Sequence, residues 1–90
     1  MSEAKIQSKI IKFLKKQGWL TIKLIRTNYT GVPDIVAHKK NKILWIEVKT
    51  ESGVLSKMQM FRHKEILKLT GEKVMIPFGY DDFLMKYNEL

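Results

Sequence analysis

Apolar residues recur at two different spacings along the chain, and each spacing predicts an element. Between residues 3 and 17 they recur every three or four positions, which predicts an amphipathic helix. The stripe that this helix would bury consists of Ile6, Ile10, Phe13 and Leu14. Residues 19–26 are rich in β-branched and aromatic side chains and predict a strand, and Gly18 between the two segments favours the end of the helix.

The middle of the chain predicts a hairpin of two strands, at residues 34–38 and 43–49. A short polar link around Lys40 and Asn41 would join them. If these two residues form the whole loop, Lys39 faces Lys42 and the numbers of every facing pair add up to 81. An odd number of loop residues would shift this register.

The last third of the chain predicts a helix, a short strand and a terminal helix. The first helix would end near Thr70, and Ser56 with Gln59 fits the S-x-x-Q capping box at its start. Residues 72–77 predict the strand, and residues 80–90 predict the terminal helix. The element order is then α-β-β-β-α-β-α, so we predict one α/β domain over residues 1–90, with a mixed sheet flanked by helices.

Composition excludes several classes of function. There is no cysteine, which rules out disulfides and thiol nucleophiles and fits a reducing cytoplasm. No apolar run is long enough to cross a membrane. Seventeen basic residues against nine acidic residues give a net charge of +8, which favours a polyanionic partner such as nucleic acid. A lysine-rich solvated surface is the alternative interpretation.

Two features of the first helix have competing interpretations. A row of lysines repeats on the polar face, where a solvated surface is the favoured interpretation over a DNA track; it consists of Lys5, Lys9, Lys12 and Lys16. Glu3 falls on the buried stripe instead. On its own, a carboxylate there is explained by its favourable interaction with the helix dipole.

The predicted hairpin places three charged side chains on one face. The numbers of Asp34 and Glu47 add up to 81, so the two residues would lie opposite each other, with Cβ atoms ~5 Å apart. Lys49 shares the face of Glu47 because strand side chains alternate with a period of two. Two close carboxylates repel each other, and Mg²⁺ would resolve the conflict because it prefers oxygen ligands. An acidic pair and a lysine on a solvated hairpin face remain the alternative.

Three other features carry weaker signals. The loop before the hairpin offers groups that could contact phosphates and a stacked base, or that could form an ordinary polar turn; they are Arg26, Asn28, Tyr29 and Gly31. His38 and His63 lie in different elements, so a zinc pair or a catalytic dyad is not supported. The second helix has two apolar faces, which suggests a homodimer or simply exposed apolar residues; Met58, Ile66 and Leu69 form one face, and Met60 and Leu67 the other.

Three motifs carry a family resemblance. They read Arg26-x-Asn28-x-x-Gly31-x-Pro33-Asp34, Ile46-Glu47-Val48-Lys49 and Gly53-x-Leu55-Ser56-x-x-Gln59. With these segments the chain resembles the PD-(D/E)xK nuclease superfamily, and within it the virus-type replication-repair nuclease (VRR-NUC) domain. The resemblance implies a restriction-endonuclease-like αβββαβ core and phosphodiester cleavage that depends on Mg²⁺ or Mn²⁺.

The resemblance also implies roles for single residues. Asp34 and Glu47 would be metal ligands, the Val48 carbonyl would complete the coordination, and Lys49 would be the catalytic lysine. Glu3 matches the first-helix acid that this domain shares with archaeal-type Holliday junction resolvases. Gln59 matches a second-helix glutamine near the active site. It could also serve the capping box, and both roles require that the one side chain makes both contacts.

The chain departs from the family pattern at two points. Thr50 follows the lysine where a glycine is often found, and the chain ends soon after the core. Small stand-alone domains of this family resemble viral or phage proteins that act as homodimers on branched DNA. We therefore predict a metal-dependent, structure-specific DNA endonuclease, acting on substrates such as Holliday junctions. The alternatives are a non-catalytic nucleic-acid-binding module and a nuclease with an RNA or nonspecific substrate.

Overall fold

A computed structural model describes residues 1–90, and its elements follow the predicted order. The helices and strands are α1 (Glu3–Lys16), β1 (Leu20–Lys23), β2 (Ile35–Lys39), β3 (Lys42–Ile46), α2 (Lys57–Thr70), β4 (Val74–Met75) and α3 (Tyr80–Asn88). Ser2 caps the start of α1, and Gly71 ends α2 with the left-handed φ of 76° that glycine adopts without strain.

The four strands form one sheet in the order β1-β2-β3-β4. The first three pair antiparallel, and β4 runs parallel to β3, which confirms the predicted mixed sheet. Lys39 faces Lys42 across a loop of two residues, so the predicted register of the β2–β3 hairpin is confirmed.

One face of the sheet carries the hydrophobic core. Ile10, Leu14 and Phe83 are fully buried, and they belong to α1 and α3, the two helices that cover this face. The indole nitrogen of Trp19 donates a hydrogen bond of 3.0 Å to the Tyr87 hydroxyl and so joins the start of β1 to α3. Full burial of one such apolar side chain stabilises the fold by about 1.5–3 kcal/mol. This layer therefore supplies the rigid support for the sheet.

Three of the four strands are shorter than predicted, whereas β2 keeps the predicted length and is shifted by one residue. The predicted strand 43–49 ends at Ile46, and the Val48 amide beyond it donates to the Asp34 side chain instead of to a backbone carbonyl of β2. The amides of Glu47 and Lys49 donate to carbonyl oxygens of the β4 segment, at Met75 and Pro77. The strands predicted at residues 19–26 and 72–77 keep only their central residues, Leu20–Lys23 and Val74–Met75.

The second face of the sheet is only partly covered. α2 contains no buried residue, and apolar side chains on both of its sides are exposed, among them Met58, Met60, Phe61, Leu67 and Leu69. On the sheet itself, Leu20, Ile22 and Ile43 are exposed. No helix in the structure combines the length and the hydropathy that a membrane span requires.

Candidate active site

The predicted carboxylate pair lies where the β2–β3 ladder stops. Ile35 and Ile46 form its last pair, and Asp34 and Glu47 occupy the next position of each chain segment. The Val48 amide donates a hydrogen bond of 2.8 Å to Asp34 Oδ2, so a side chain replaces the backbone acceptor at this point. Glu47 is only 1% exposed. The hairpin thus delivers one half-buried and one fully buried carboxylate to the same end of the sheet.

The proton affinity of Glu47 reflects this environment. Burial raises its pKa most, and the charge of Asp34 and hydrogen bonding to Asp34 raise it further, to about 8. Lys49 opposes this shift, and the more distant charge of Glu3 adds to it. Without a cation, Glu47 therefore keeps a proton at neutral pH, since ionising it would place two negative charges together in a desolvated site.

Gln59 makes both of the contacts that its two predicted roles require. The side-chain Oε1 of Gln59 accepts a hydrogen bond of 2.9 Å from the backbone amide of Ser56. The backbone amide of Gln59 donates one of 3.1 Å to Ser56 Oγ, which completes the capping box. Its Nε2 donates to Glu47 Oε2 at 3.2 Å. The cap therefore fixes the side chain that orients the buried carboxylate.

His63 is a site residue that the sequence did not reveal. Its Nε2 lies 3.3 Å from Glu47 Oε1, and its Nδ1 is buried without a hydrogen-bond partner. Burial lowers the pKa of His63 below its usual 6.5, so the contact with Glu47 is a hydrogen bond between neutral groups and not an ion pair. The spacing of four residues from Gln59 was the available signal, because it places both side chains on one face of a helix.

Lys49 is half-buried and lies on the Glu47 side of its segment. Its amide donates to the Pro77 carbonyl at 3.1 Å, and its carbonyl accepts from the Gly79 amide at 2.9 Å. A Cβ on Gly53 would lie 3.1 Å from the Lys49 Cβ, so the glycine gives the lysine stem room. These contacts hold the backbone of Lys49 in place beside the carboxylates.

Glu3 is exposed in the first turn of α1, so its predicted place on the buried stripe is wrong: the stripe begins at Ile6, one turn further along the helix. No group of three or more histidine, cysteine, aspartate or glutamate side chains is close enough to hold a metal ion. Glu3 therefore influences the electrostatics of Glu47 without joining a preformed set of carboxylate ligands, and its ligand role stays a prediction.

The Val48 carbonyl provides a test of whether this site suits a cation. Val48 is fully buried, and no donor forms a hydrogen bond to its carbonyl oxygen. The strand pairing itself ends at Ile35 and Ile46; extended by two positions, its register would place Val48 opposite Pro33, which has no amide hydrogen to donate. A buried carbonyl without a donor is costly unless another partner binds it. Together with two carboxylates it forms the all-oxygen donor set that hard divalent cations prefer, so the residues fit such an ion.

The loop before β2 packs against α2. The guanidinium of Arg62 lies 4.6 Å from the ring centroid of Tyr29 and donates from Nε to the Thr30 carbonyl at 2.9 Å. Gly31 has a φ of 75°, and a Cβ there would lie 2.6 Å from the Met58 carbonyl oxygen. Glycine at this position is therefore required for the close approach of the loop to α2.

Three of the four residues predicted to bind nucleic acid in this loop are exposed, namely Arg26, Asn28 and Tyr29; Gly31 is half-buried. That they bind nucleic acid stays a prediction.

The fold and the motif now define a class of protein. A mixed four-stranded sheet flanked by helices, with an Asp…Glu-x-Lys arrangement at the end of its central hairpin, is the core of the PD-(D/E)xK nuclease superfamily. The family model described as archaeal Holliday junction resolvase (hjc) matches residues 4–74, and the chain belongs to this family. A search of curated proteins found no match.

Membership establishes the activity at the level of the family. Holliday junction resolvases are structure-specific, metal-dependent endonucleases, so the predicted hydrolysis of phosphodiester bonds in branched DNA is confirmed. Dependence on a divalent metal is general for this family. The matched region contains the hairpin, α2 and β4, and it begins one residue after Glu3.

Proposed function

We propose that Asp34, Glu47 and the Val48 carbonyl hold Mg²⁺ or Mn²⁺ and that Lys49 is the catalytic lysine of this resolvase. The observation that carries the proposal is the buried Glu47 beside Asp34, adjacent to the Val48 carbonyl, which accepts no hydrogen bond. Ionised Glu47 and the unpaired Val48 carbonyl are both unfavourable without a cation. A divalent cation would satisfy both at once.

Each residue has a specific task in the reaction. A divalent cation bound at this site would polarise the scissile phosphodiester and acidify the attacking water. The Lys49 ammonium positions that water and stabilises the negative charge that develops on the phosphate oxygens. Gln59 and His63 act on Glu47, because their hydrogen bonds to its two oxygens hold the carboxylate in one orientation.

Two further contributions extend the site beyond the hairpin. Glu3 would add an oxygen ligand to a bound cation; the supporting observation is the influence of its charge on the pKa of Glu47. The exposed loop residues Arg26, Asn28 and Tyr29 contact the DNA backbone and an unpaired base near the branch point, since they offer a cation, an amide and an aromatic ring.

We also propose that the enzyme acts as a homodimer. A four-way junction presents two opposed strands for cleavage, and two copies supply one active site for each. The partly covered sheet face supports this assembly: His38 pairs with both Leu20 and Ile43 in the sheet, so these two exposed side chains flank one strand position. The exposed Leu67 and Leu69 of α2 extend the apolar surface.

Finer classification and location are part of the same proposal. The Gly-x-Pro-Asp and Leu-Ser-x-x-Gln motifs support a VRR-NUC-type member of the superfamily that functions as one domain over residues 1–90. The absence of cysteine supports a reducing compartment, the cytoplasm.

The experiment that tests the catalytic assignment compares cleavage of four-way, flapped, linear and RNA substrates in Mg²⁺, Mn²⁺ or EDTA. The wild type is expected to cut the four-way junction with paired incisions only when metal is present. Lys49→Ala is expected to bind the junction and to lose cleavage, whereas Lys42→Ala, at the far end of the hairpin, retains both. Equal cutting of RNA or linear DNA would contradict branch selectivity, and metal-independent function in Lys49→Ala would favour a binding module.

A further inference from the structure

Half of the net charge of the protein is concentrated on one helix. α1 contains five lysines and one glutamate, a net charge of +4 within a chain whose total is +8. All five lysines are exposed, and none forms a salt bridge. Such a cluster repels itself, so an anion that neutralises it gains binding free energy. The sequence alone favoured a solvated face here.

The structure shows that part of this cluster lines a concave surface. Lys9, Lys12 and Lys16 border a groove of 220 Å³ between α1 and α3, and its wall is formed by Phe13 and Tyr80. The Lys9 Nζ lies 5.2 Å from the centroid of the Tyr80 ring, which holds this cation at the mouth of the groove. We call these five residues the α1–α3 groove.

The groove adjoins a second cavity that reaches the loop after Lys49. Lys9 and Tyr80 also line this neighbouring cavity of 780 Å³, which extends to Thr50 and Ser52, the first and third residues after Lys49. The two cavities share these two residues, Lys9 and Tyr80, so the lysines of α1 and the segment that follows Lys49 border adjacent surfaces. Glu51 and Asp81 line the second cavity as well and repel phosphate, so phosphate contacts are confined to the lysine end.

We propose that the α1–α3 groove binds the sugar–phosphate backbone of a duplex arm of the junction, on the side where that arm leaves the active site. The proposal rests on the proposed function, because it takes Lys49 as the point of cleavage. The lysines neutralise phosphates, and the two aromatic rings pack against the sugars. α1 is about 21 Å long at 1.5 Å per residue, which corresponds to roughly six base pairs at 3.4 Å each.

The first test uses two triple variants that lose the same charge. Lys9→Gln, Lys12→Gln and Lys16→Gln are combined in a groove variant, and the exposed Lys42→Gln, Lys68→Gln and Lys73→Gln in a control variant. The affinity for an intact junction is measured over a range of salt concentrations in EDTA, after thermal melting has confirmed that both proteins fold. Three lost phosphate contacts lower the slope of log K against log salt by about 2.7 in the groove variant. The control slope is expected to match the wild type.

The second test places neutral phosphates in the DNA. Methylphosphonates replace the phosphates, one at a time, within about six nucleotides on either side of the cut. Binding by the wild type and by the control variant is expected to weaken several-fold at a contiguous group of positions in the duplex arm, and the groove variant is expected to be insensitive there. If both triple variants respond alike at every position, the lysines are a solvated face and the proposal is wrong.

Two further outcomes separate this proposal from the proposed function. If the wild type cuts an unmodified junction in Mg²⁺ but shows no groove-dependent positions, only the groove proposal fails. If the wild type cuts no junction in Mg²⁺, the proposed catalytic site fails, while a groove-dependent methylphosphonate pattern in EDTA still supports the groove. If methylphosphonates weaken binding only in junction arms that have been made single-stranded, the groove does not bind duplex DNA and the proposal is wrong.

Discussion

The side chain of Gln59 donates a hydrogen bond of 3.2 Å to Glu47, and the same side-chain amide group completes the capping box of α2. One side chain of the helix cap therefore also orients a buried carboxylate. Because Ser56 supplies the other half of the cap, the two functions of Gln59 can be separated by mutation.

Ser56→Ala and Gln59→Ala are each expected to lower the free energy of unfolding by about 1 kcal/mol, because each removes half of the cap. Only Gln59→Ala also removes the contact with Glu47, so we expect its cleavage rate to fall about tenfold while Ser56→Ala cleaves like the wild type. Chemical denaturation and single-turnover cleavage measure the two effects. Equal cleavage rates in the two variants would show that Gln59 serves the helix alone.

The raised pKa of Glu47 predicts that stability depends on pH in the metal-free protein. Glu47 has a pKa of about 8 in the fold and 4.5 as its ordinary value, so between these two pH values the folded state holds a proton that the unfolded state has released. Stability must therefore decrease as the pH rises through this window. Mg²⁺ held by the ionised carboxylates, as proposed, should reverse the trend.

Thermal melting from pH about 4.5 to about 8, in EDTA and in Mg²⁺, tests this dependence. Glu47→Gln is the matched variant, because its amide is neutral at every pH. We expect its metal-free melting temperature to be flatter across the window and its response to Mg²⁺ to be small. A wild-type protein in EDTA that becomes more stable towards pH 8 would contradict the assignment of the raised pKa to Glu47.

Pro33 predicts an unusual effect of an ordinary substitution. Pro33→Ala introduces an amide hydrogen opposite the Val48 carbonyl, and that hydrogen competes with the cation for the oxygen. One competing hydrogen bond of about 1 kcal/mol should weaken metal binding about fivefold. Calorimetric titration with Mn²⁺ measures it, and Val32→Ala, which shortens the neighbouring side chain without adding a donor, is the control. Unchanged affinity in Pro33→Ala would remove Val48 from the proposed ligand set.

The exposed sheet face predicts where the dimer can be disrupted. Ile22→Asp places a charge on the apolar surface next to β2, so we expect it to yield a monomer in light scattering. Met85→Asp makes a similar change on α3, which packs on the opposite face, and should leave the assembly intact. A wild-type protein that is monomeric and still makes paired cuts would contradict the proposed homodimer.

The hairpin register could be predicted because it depends only on local rules. A loop of two residues and the alternation of strand side chains fix which residues face each other, and both hold in the structure. The ends of β3 depend on tertiary contacts instead. The Val48 amide donates a hydrogen bond to the Asp34 side chain, and no periodicity in the sequence predicts this contact.

His63 shows a second reason why the site was incompletely predicted. The alternation of strand side chains relates His38 to the face of Asp34, but no local spacing relates His63 to either carboxylate. The partner of His63 is Glu47, sixteen residues away in another element. Only the docking of α2 against the end of the sheet brings these two residues together, and docking geometry does not follow from helical periodicity.

The absence of any buried residue in α2 makes assembly and chemistry thermodynamically linked. α2 is anchored by polar contacts at one end of the sheet, and its apolar side chains gain burial only when another surface covers them. A helix without buried residues opens locally at a low free-energy cost, and in the proposed homodimer contact with a second copy would raise that cost. Because Gln59 and His63 are part of α2 and form hydrogen bonds with Glu47, a more stable α2 also holds the Glu47 side chain more firmly in its orientation. Specific activity should therefore rise with protein concentration, and amide hydrogen exchange in α2 should slow over the same range.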